Sequence, residues 1–120
     1  MEYALIIYND VASRDASPEE LRPLYDRFME VLERPNVTGV VRLQEFESAT
    51  TVRYENGRTL LTDGPFVESK EYLGGVIVYE AANLDEALAV AKHLQEGRGW
   101  GAIEVRPLMP FDVPPGGAGA

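Results

Sequence analysis

Five side chains able to move a proton or hold a charge crowd one short stretch: Asp63, Glu68, Lys70, Glu71 and Tyr72, between Asp63-Gly64-Pro65 and Gly74-Gly75. Gly-Pro shapes a turn, because Gly64 accepts positive φ and Pro65 fixes its own φ while pushing its predecessor out of the helical region. Loops that meet a sheet are where sites are commonly carried. In a catalytic reading, Asp63 or Glu68 is the base, and Lys70 or Arg106 stabilises developing negative charge. That fits lyase, isomerase or cofactor-free oxygenase chemistry equally. The competing reading of Asp63 is a carboxylate that accepts backbone N–H bonds and holds the turn, so that Asp63→Ala lowers the melting temperature. Glu68 and Lys70 share a side only if the segment is extended, and otherwise form a solvated loop pair.

A second group lies in strand-like sequence. Glu104 and Arg106 alternate with Ile103 and Val105, so both reach one sheet face, and Arg42 can join them from an earlier strand. Charges on a buried face must be paired or wetted. Tyr8 and Tyr72 complete a ligand-binding set with Arg42, Glu104 and Arg106, although each tyrosine is equally a core aromatic whose hydroxyl needs a partner. His93, the one histidine, falls half a turn away from Leu84 on a helix and faces solvent near the favourable C-terminal end. One histidine and no cysteine give no metal site at ligand spacing, and no cofactor is expected. Gly97, Gly99 and Gly101 do not form a phosphate loop, since no strand precedes and no helix follows them. Trp100 between them reads as packing.

The elements that carry these groups follow from periodicity. Residues 3–8 and 75–80 are apolar on both parities and read as strands covered on both faces. Ser17-Pro18-Glu19-Glu20 opens a helix with a capping box, and Leu21, Leu24, Tyr25, Phe28 and Leu32 form its stripe. A second strand runs from Thr38 to Glu47. Asn56-Gly57 between 50–55 and 58–62 predicts a type I′ hairpin pairing Glu55 with Arg58. Asn83-Leu84-Asp85-Glu86 opens a second helix with the stripe Leu84, Ala87, Leu88, Ala91 and Leu94, stopped by Gly97. A last strand spans 99–106. Residues 1–109 make one domain, and 110–120 a Pro/Gly-rich tail expected to be disordered.

The order is α+β, ferredoxin-like β-α-β-(hairpin)-β-α-β on an antiparallel sheet. Two helices cover one sheet face, so strands apolar on both faces call for a partner, most simply a homodimer. The 120 residues carry a net charge of −9, which opposes direct nucleic-acid binding and association with anionic lipid. The N-terminal apolar run is too short for a signal peptide or membrane span, and the absence of cysteine suits a reducing cytoplasm.

Thr50-Thr51-Val52-Arg53, Leu61 to Phe66, Glu68 to Glu71, Leu73-Gly74-Gly75, Leu84 to Ala87 and Glu104 to Pro107 resemble, in order, the YCII-related superfamily. The closest resemblance is to the branch named for Asp63-Gly64-Pro65-Phe66. It implies a dimeric α/β barrel. Some members are encoded beside extracytoplasmic-function sigma factors, which implies a sigma-factor partner as one reading. The His–Asp dyad proposed for the founding branch has no counterpart, since the first helix lacks a histidine and the second ends Gln95-Glu96-Gly97-Arg98. The leading expectation is a homodimer with a polar cleft near the Asp63 loop and the Arg106 strand, binding a small organic ligand. The alternatives are a protein-interaction module and a non-catalytic dimer.

Overall fold

The computed structural model describes residues 1–67, 69–112, 114 and 116. Glu68 lies outside them, as does most of the expected tail. Six strands and two helices follow in chain order: β1 (Glu2–Asp10), α1 (Pro18–Leu32), β2 (Val37–Arg42), β3 (Thr50–Glu55), β4 (Arg58–Asp63), β5 (Glu71–Glu80), α2 (Leu84–Glu96) and β6 (Ala102–Pro107). Four strands form an open antiparallel sheet in the order β2-β5-β1-β6, while β3 and β4 form a separate hairpin. The α+β class and the antiparallel pairing agree with the sequence. No barrel is closed within the described residues.

The helix starts are local. Ser17 Oγ accepts from Glu20 N at 3.1 Å while Glu20 Oε1 accepts from Ser17 N, and Asn83 Oδ1 accepts from Glu86 N at 3.0 Å. Each cap satisfies N–H groups that a helix start leaves without a partner. In the hairpin Glu55 faces Arg58, and Asn56 and Gly57 both have positive φ, as a type I′ turn requires.

Both helices pack on one face of the sheet. Tyr3, Leu5, Ile77 and Tyr79 meet Val31 of α1 and Ala87, Val90, Ala91 and Leu94 of α2 in a single core. The opposite face carries Ala4 beside Val78 and Arg106, and Ile6 beside Val76 and Glu104. Neither helix reaches it, and Val41 at its edge is 56% exposed.

Three expectations need correction. The second strand ends at Arg42 rather than Glu47, because residues 46–48 close a 3-10 turn in which Ser48 Oγ donates to Glu45 O at 2.7 Å. Phe46 then packs on Tyr72, with ring centroids 4.8 Å apart, instead of entering the sheet. The last strand starts at Ala102 rather than residue 99, since Gly101 has φ +66° and leaves the extended region. On α2 the buried stripe runs through Val90, while Leu84 is exposed. His93 is half-exposed and lies 3.7 Å from Glu30 of α1, between the helices.

Candidate functional site

The residues singled out by the sequence separate into three places. Asp63 ends β4, exposed, and its carboxylate makes no hydrogen bond among the described residues. The turn is held without it. Gly64 N donates to Ala49 O at 2.7 Å, and Thr51 Oγ1 donates to Gly64 O at 2.7 Å. Phe66 lies under the Arg53 guanidinium, 5.4 Å from ring centroid to carbon. Lys70 contributes its backbone, accepting from Val11 N at 3.0 Å.

Tyr72 belongs to a second cluster, built around Arg14. The guanidinium sits 4.5 Å over Phe46 and 5.8 Å over Tyr72, and bonds Glu47 at 2.5 and 2.6 Å and Glu45 at 3.0 Å. Tyr72 OH donates to the same Glu45 at 3.1 Å. Hydrogen bonding to Glu47 raises the Arg14 pKa further above its ordinary value, and Arg14 in turn lowers that of Glu47. A shallow hollow lined by Leu43, Phe46, Pro65 and Tyr72 lies beside it. Neither Asp63 nor Lys70 lines that hollow.

Glu104 and Arg106 lie on the uncovered sheet face and form an ion pair with each other, which raises the Arg106 pKa. Tyr8 stands near enough to add to that rise. These two charges are therefore paired.

Arg42 goes elsewhere. It lines a cavity of about 420 Å³ between α1 and the helix-covered side of the sheet. Buried Leu24 and Ile77, half-buried Ile7 and Phe28, and the more exposed Leu21 and Tyr25 give it apolar walls. The α1 stripe is thus only partly sealed onto the sheet, and its unsealed part faces this space. Trp100, the one tryptophan, is also in the lining.

The polar groups there are Asn9, Arg42 and Arg98. Arg98 is only 9% exposed. Its Nη2 donates to Tyr8 O at 2.6 Å and Asn9 Oδ1 at 3.0 Å, and its Nη1 to Gln95 Oε1 at 3.3 Å. All three acceptors are neutral. No carboxylate among the described residues lies within 4.0 Å of either Arg98 or Arg42. Burial lowers the Arg98 pKa from its ordinary value.

Backbone geometry places this guanidinium. Pairing of β1 with β6 ends at Tyr8 opposite Ala102, and beyond that point Tyr8 O accepts from Arg98. Gly101 passes so close that a Cβ there would stand 2.1 Å from Tyr8 O and 2.7 Å from Arg98 Nη2. Gln95 Nε2 fixes the same crossing by donating to Trp100 O at 3.1 Å. The sequence signal was Gly97-Arg98-Gly99-Trp100-Gly101, a cation and an aromatic in backbone with little steric bulk. That composition suits a close backbone crossing rather than a phosphate loop.

Among the described residues, no three His, Asp or Glu side chains stand close enough to hold a metal ion. No helix among them is long and apolar enough to cross a membrane.

The model of the YCII-related domain matches residues 1–112. The chain belongs to the YCII-related family. A protein of Rhizobium meliloti (strain 1021), described only as uncharacterized, is 37% identical over 114 residues, covering 90% of this chain and 92% of the relative. Family membership therefore agrees with the resemblance read from residues 61–75 and their flanks. It names no reaction.

Proposed function

We propose that this YCII-related chain is a small-molecule-binding protein whose site is the cavity between α1 and the sheet. The observation that carries the reading is the cavity itself: about 420 Å³, largely apolar, with Arg42 opposite Gly75 and Asn9 against Gly74 and Arg98 at the same end of the sheet. The lining contains Tyr25, Arg42 and Arg98 but no carboxylate and no histidine. Such a set favours holding a ligand over acid–base catalysis, since a guanidinium is a donor of hydrogen bonds rather than a proton shuttle. The Asp63 loop then serves as scaffold at the hairpin base.

The same proposal includes the assembly. The strand order is that of a ferredoxin-like layer, and the uncovered face bearing Ile6, Val76 and Val78 suits packing against a second copy to complete a dimeric α/β barrel. Glu104 and Arg106, already paired, would enter that interface as a neutralised couple.

Thermal melts across a panel of small organic acids, amines and neutral compounds test the binding reading. Ligands are expected to raise the melting temperature of the wild type and to lose that effect in Met29→Trp, which fills the cavity from α1. A panel with no shift at millimolar concentration overturns it. Sedimentation at micromolar concentration tests the assembly: the wild type should be dimeric and Val78→Arg monomeric, and a folded wild-type monomer would remove the dimer.

A further inference from the structure

The two cations at the polar end of the cavity say which ligands it takes. The chain has 20 acidic residues against 11 basic ones, yet the cavity lining holds two arginines and no acid. Such a distribution is the reverse of the chain's overall balance. The guanidiniums of Arg14, Arg34, Arg53 and Arg106 each have a carboxylate partner, whereas Arg22, Arg27, Arg58, Arg42 and Arg98 have none among the described residues. Of these five, only Arg42 and Arg98 line the cavity.

The Arg98 donors can be counted. A guanidinium offers five N–H groups, and three bonds to neutral oxygens engage three of them. Every buried side-chain nitrogen or oxygen among the described residues has a partner. Nε of Arg98 has no bonded partner and is therefore reached by solvent, and Arg98 is among the residues that line the cavity. A mostly buried cation held only by neutral acceptors is costly, and a nearby anion offsets that cost. Apolar walls beyond the charged end add affinity for the rest of a ligand through burial of its carbon surface.

We propose that the cavity binds an apolar monocarboxylate, its carboxylate set between Arg98 and Arg42 and its hydrocarbon part along α1. The inference rests on the binding reading above and adds the ligand's chemical class. Asn9, itself bonded to Arg98, supplies a neutral donor at the same end. Trp100 in the lining reports occupancy through its emission.

The experiment uses the full chain and two acid–amide pairs, 4-phenylbutanoate with 4-phenylbutanamide and octanoate with octanamide. Binding is followed by Trp100 fluorescence and calorimetry at low and high salt. Each acid is expected to bind at least about tenfold more tightly than its amide, with the preference shrinking as salt rises. Arg42→Gln should weaken the acids severalfold and leave the amides unchanged, and Arg98→Met should erase the difference. Equal binding of acid and amide overturns the carboxylate assignment while leaving the cavity as a site. Binding of none of the four at millimolar concentration overturns both. If Arg98→Met does not fold, Arg42→Gln and the salt dependence decide, since Arg42 is exposed and supports no packing.

Discussion

Arg14 and Arg98 show two opposite ways of placing a guanidinium. Arg14 lies outside the core, over Phe46 and Tyr72, with Glu45 and Glu47 answering its charge. Its environment favours the cation and holds its proton more firmly. Arg98 is buried, bonded to a carbonyl and two amide oxygens, and its environment disfavours the cation. Arg14 is a strut between residues 11–15 and 45–48. Arg98 is a charge left available. Polar residues are denser around the first, yet the second holds the more informative chemistry, because an already paired charge has little left to offer a ligand.

The largest effect should come from the backbone that separates the two. Gly101 has φ +66°, and a Cβ there would meet Tyr8 O and the Arg98 guanidinium. We expect Gly101→Ala to cost more than about 2 kcal/mol, combining left-handed strain with a clash against main chain. Urea unfolding measures it. A change of less than about 0.5 kcal/mol would mean that Arg98 is not fixed by this crossing. No positive-φ glycine supports Arg14, which sits in a capped 3-10 turn over residues 11–15.

A smaller, pH-dependent effect separates the arginines by their partners. The Glu47 pKa is lowered by Arg14, so their pairing stabilises the fold fully above the unfolded carboxylate pKa of about 4.3. That contribution is lost as pH falls through the lowered folded pKa. The melting-temperature gap between wild type and Arg14→Gln should therefore be present at neutral pH and shrink below pH 4. The pair is exposed, so the gap is modest throughout. Arg98→Met has no carboxylate partner to titrate, and its gap from wild type should stay constant across the same range. An acid-sensitive gap for Arg98→Met would reveal a carboxylate near it and undo the comparison.

Much of the fold was legible because its signals are local. Ser17 with Glu20, Asn83 with Glu86, and Asn56-Gly57 each specify geometry within four residues, and each is realised. The two-sided apolar runs fall in β1 and β5, which the structure places at the centre of the sheet. The candidate site was less legible because its determinants are distant in sequence. Arg98 bonds Tyr8 across 90 positions, beside a positive-φ glycine that no periodicity encodes. The cavity arises where Leu21 and Tyr25 continue a helical stripe past the point at which the sheet meets it. A stripe read from spacing says which residues share a face, and leaves open whether that face is filled. Spacing likewise grouped Tyr72, Arg42 and Arg106, whereas strand register sends them to the Arg14 cluster, the cavity and the uncovered face.

The smallest expected effect bears on the Asp63 turn. Its sequence suggested a carboxylate accepting backbone N–H groups, in which case removing Asp63 destabilises the hairpin base. The geometry assigns that work to Thr51, whose hydroxyl donates to Gly64 O in a part-buried setting across the hairpin. Replacing Thr51 by valine keeps the β-branched shape and removes the donor, leaving Gly64 O short of a partner. We expect a loss of about 1 kcal/mol, the usual net worth of one such bond. Asp63→Ala removes an exposed carboxylate with no hydrogen bond among the described residues and should change stability by less than about 0.5 kcal/mol. Urea midpoints of the two variants, measured side by side, decide between the residues. If Asp63→Ala proves the more damaging, its carboxylate engages the turn in solution, and the scaffold at the hairpin base depends on it rather than on Thr51. Either outcome leaves the cavity untouched, because neither residue lines it. Ligand binding unchanged in both variants, beside binding lost in the arginine variants, would separate the scaffold from the site.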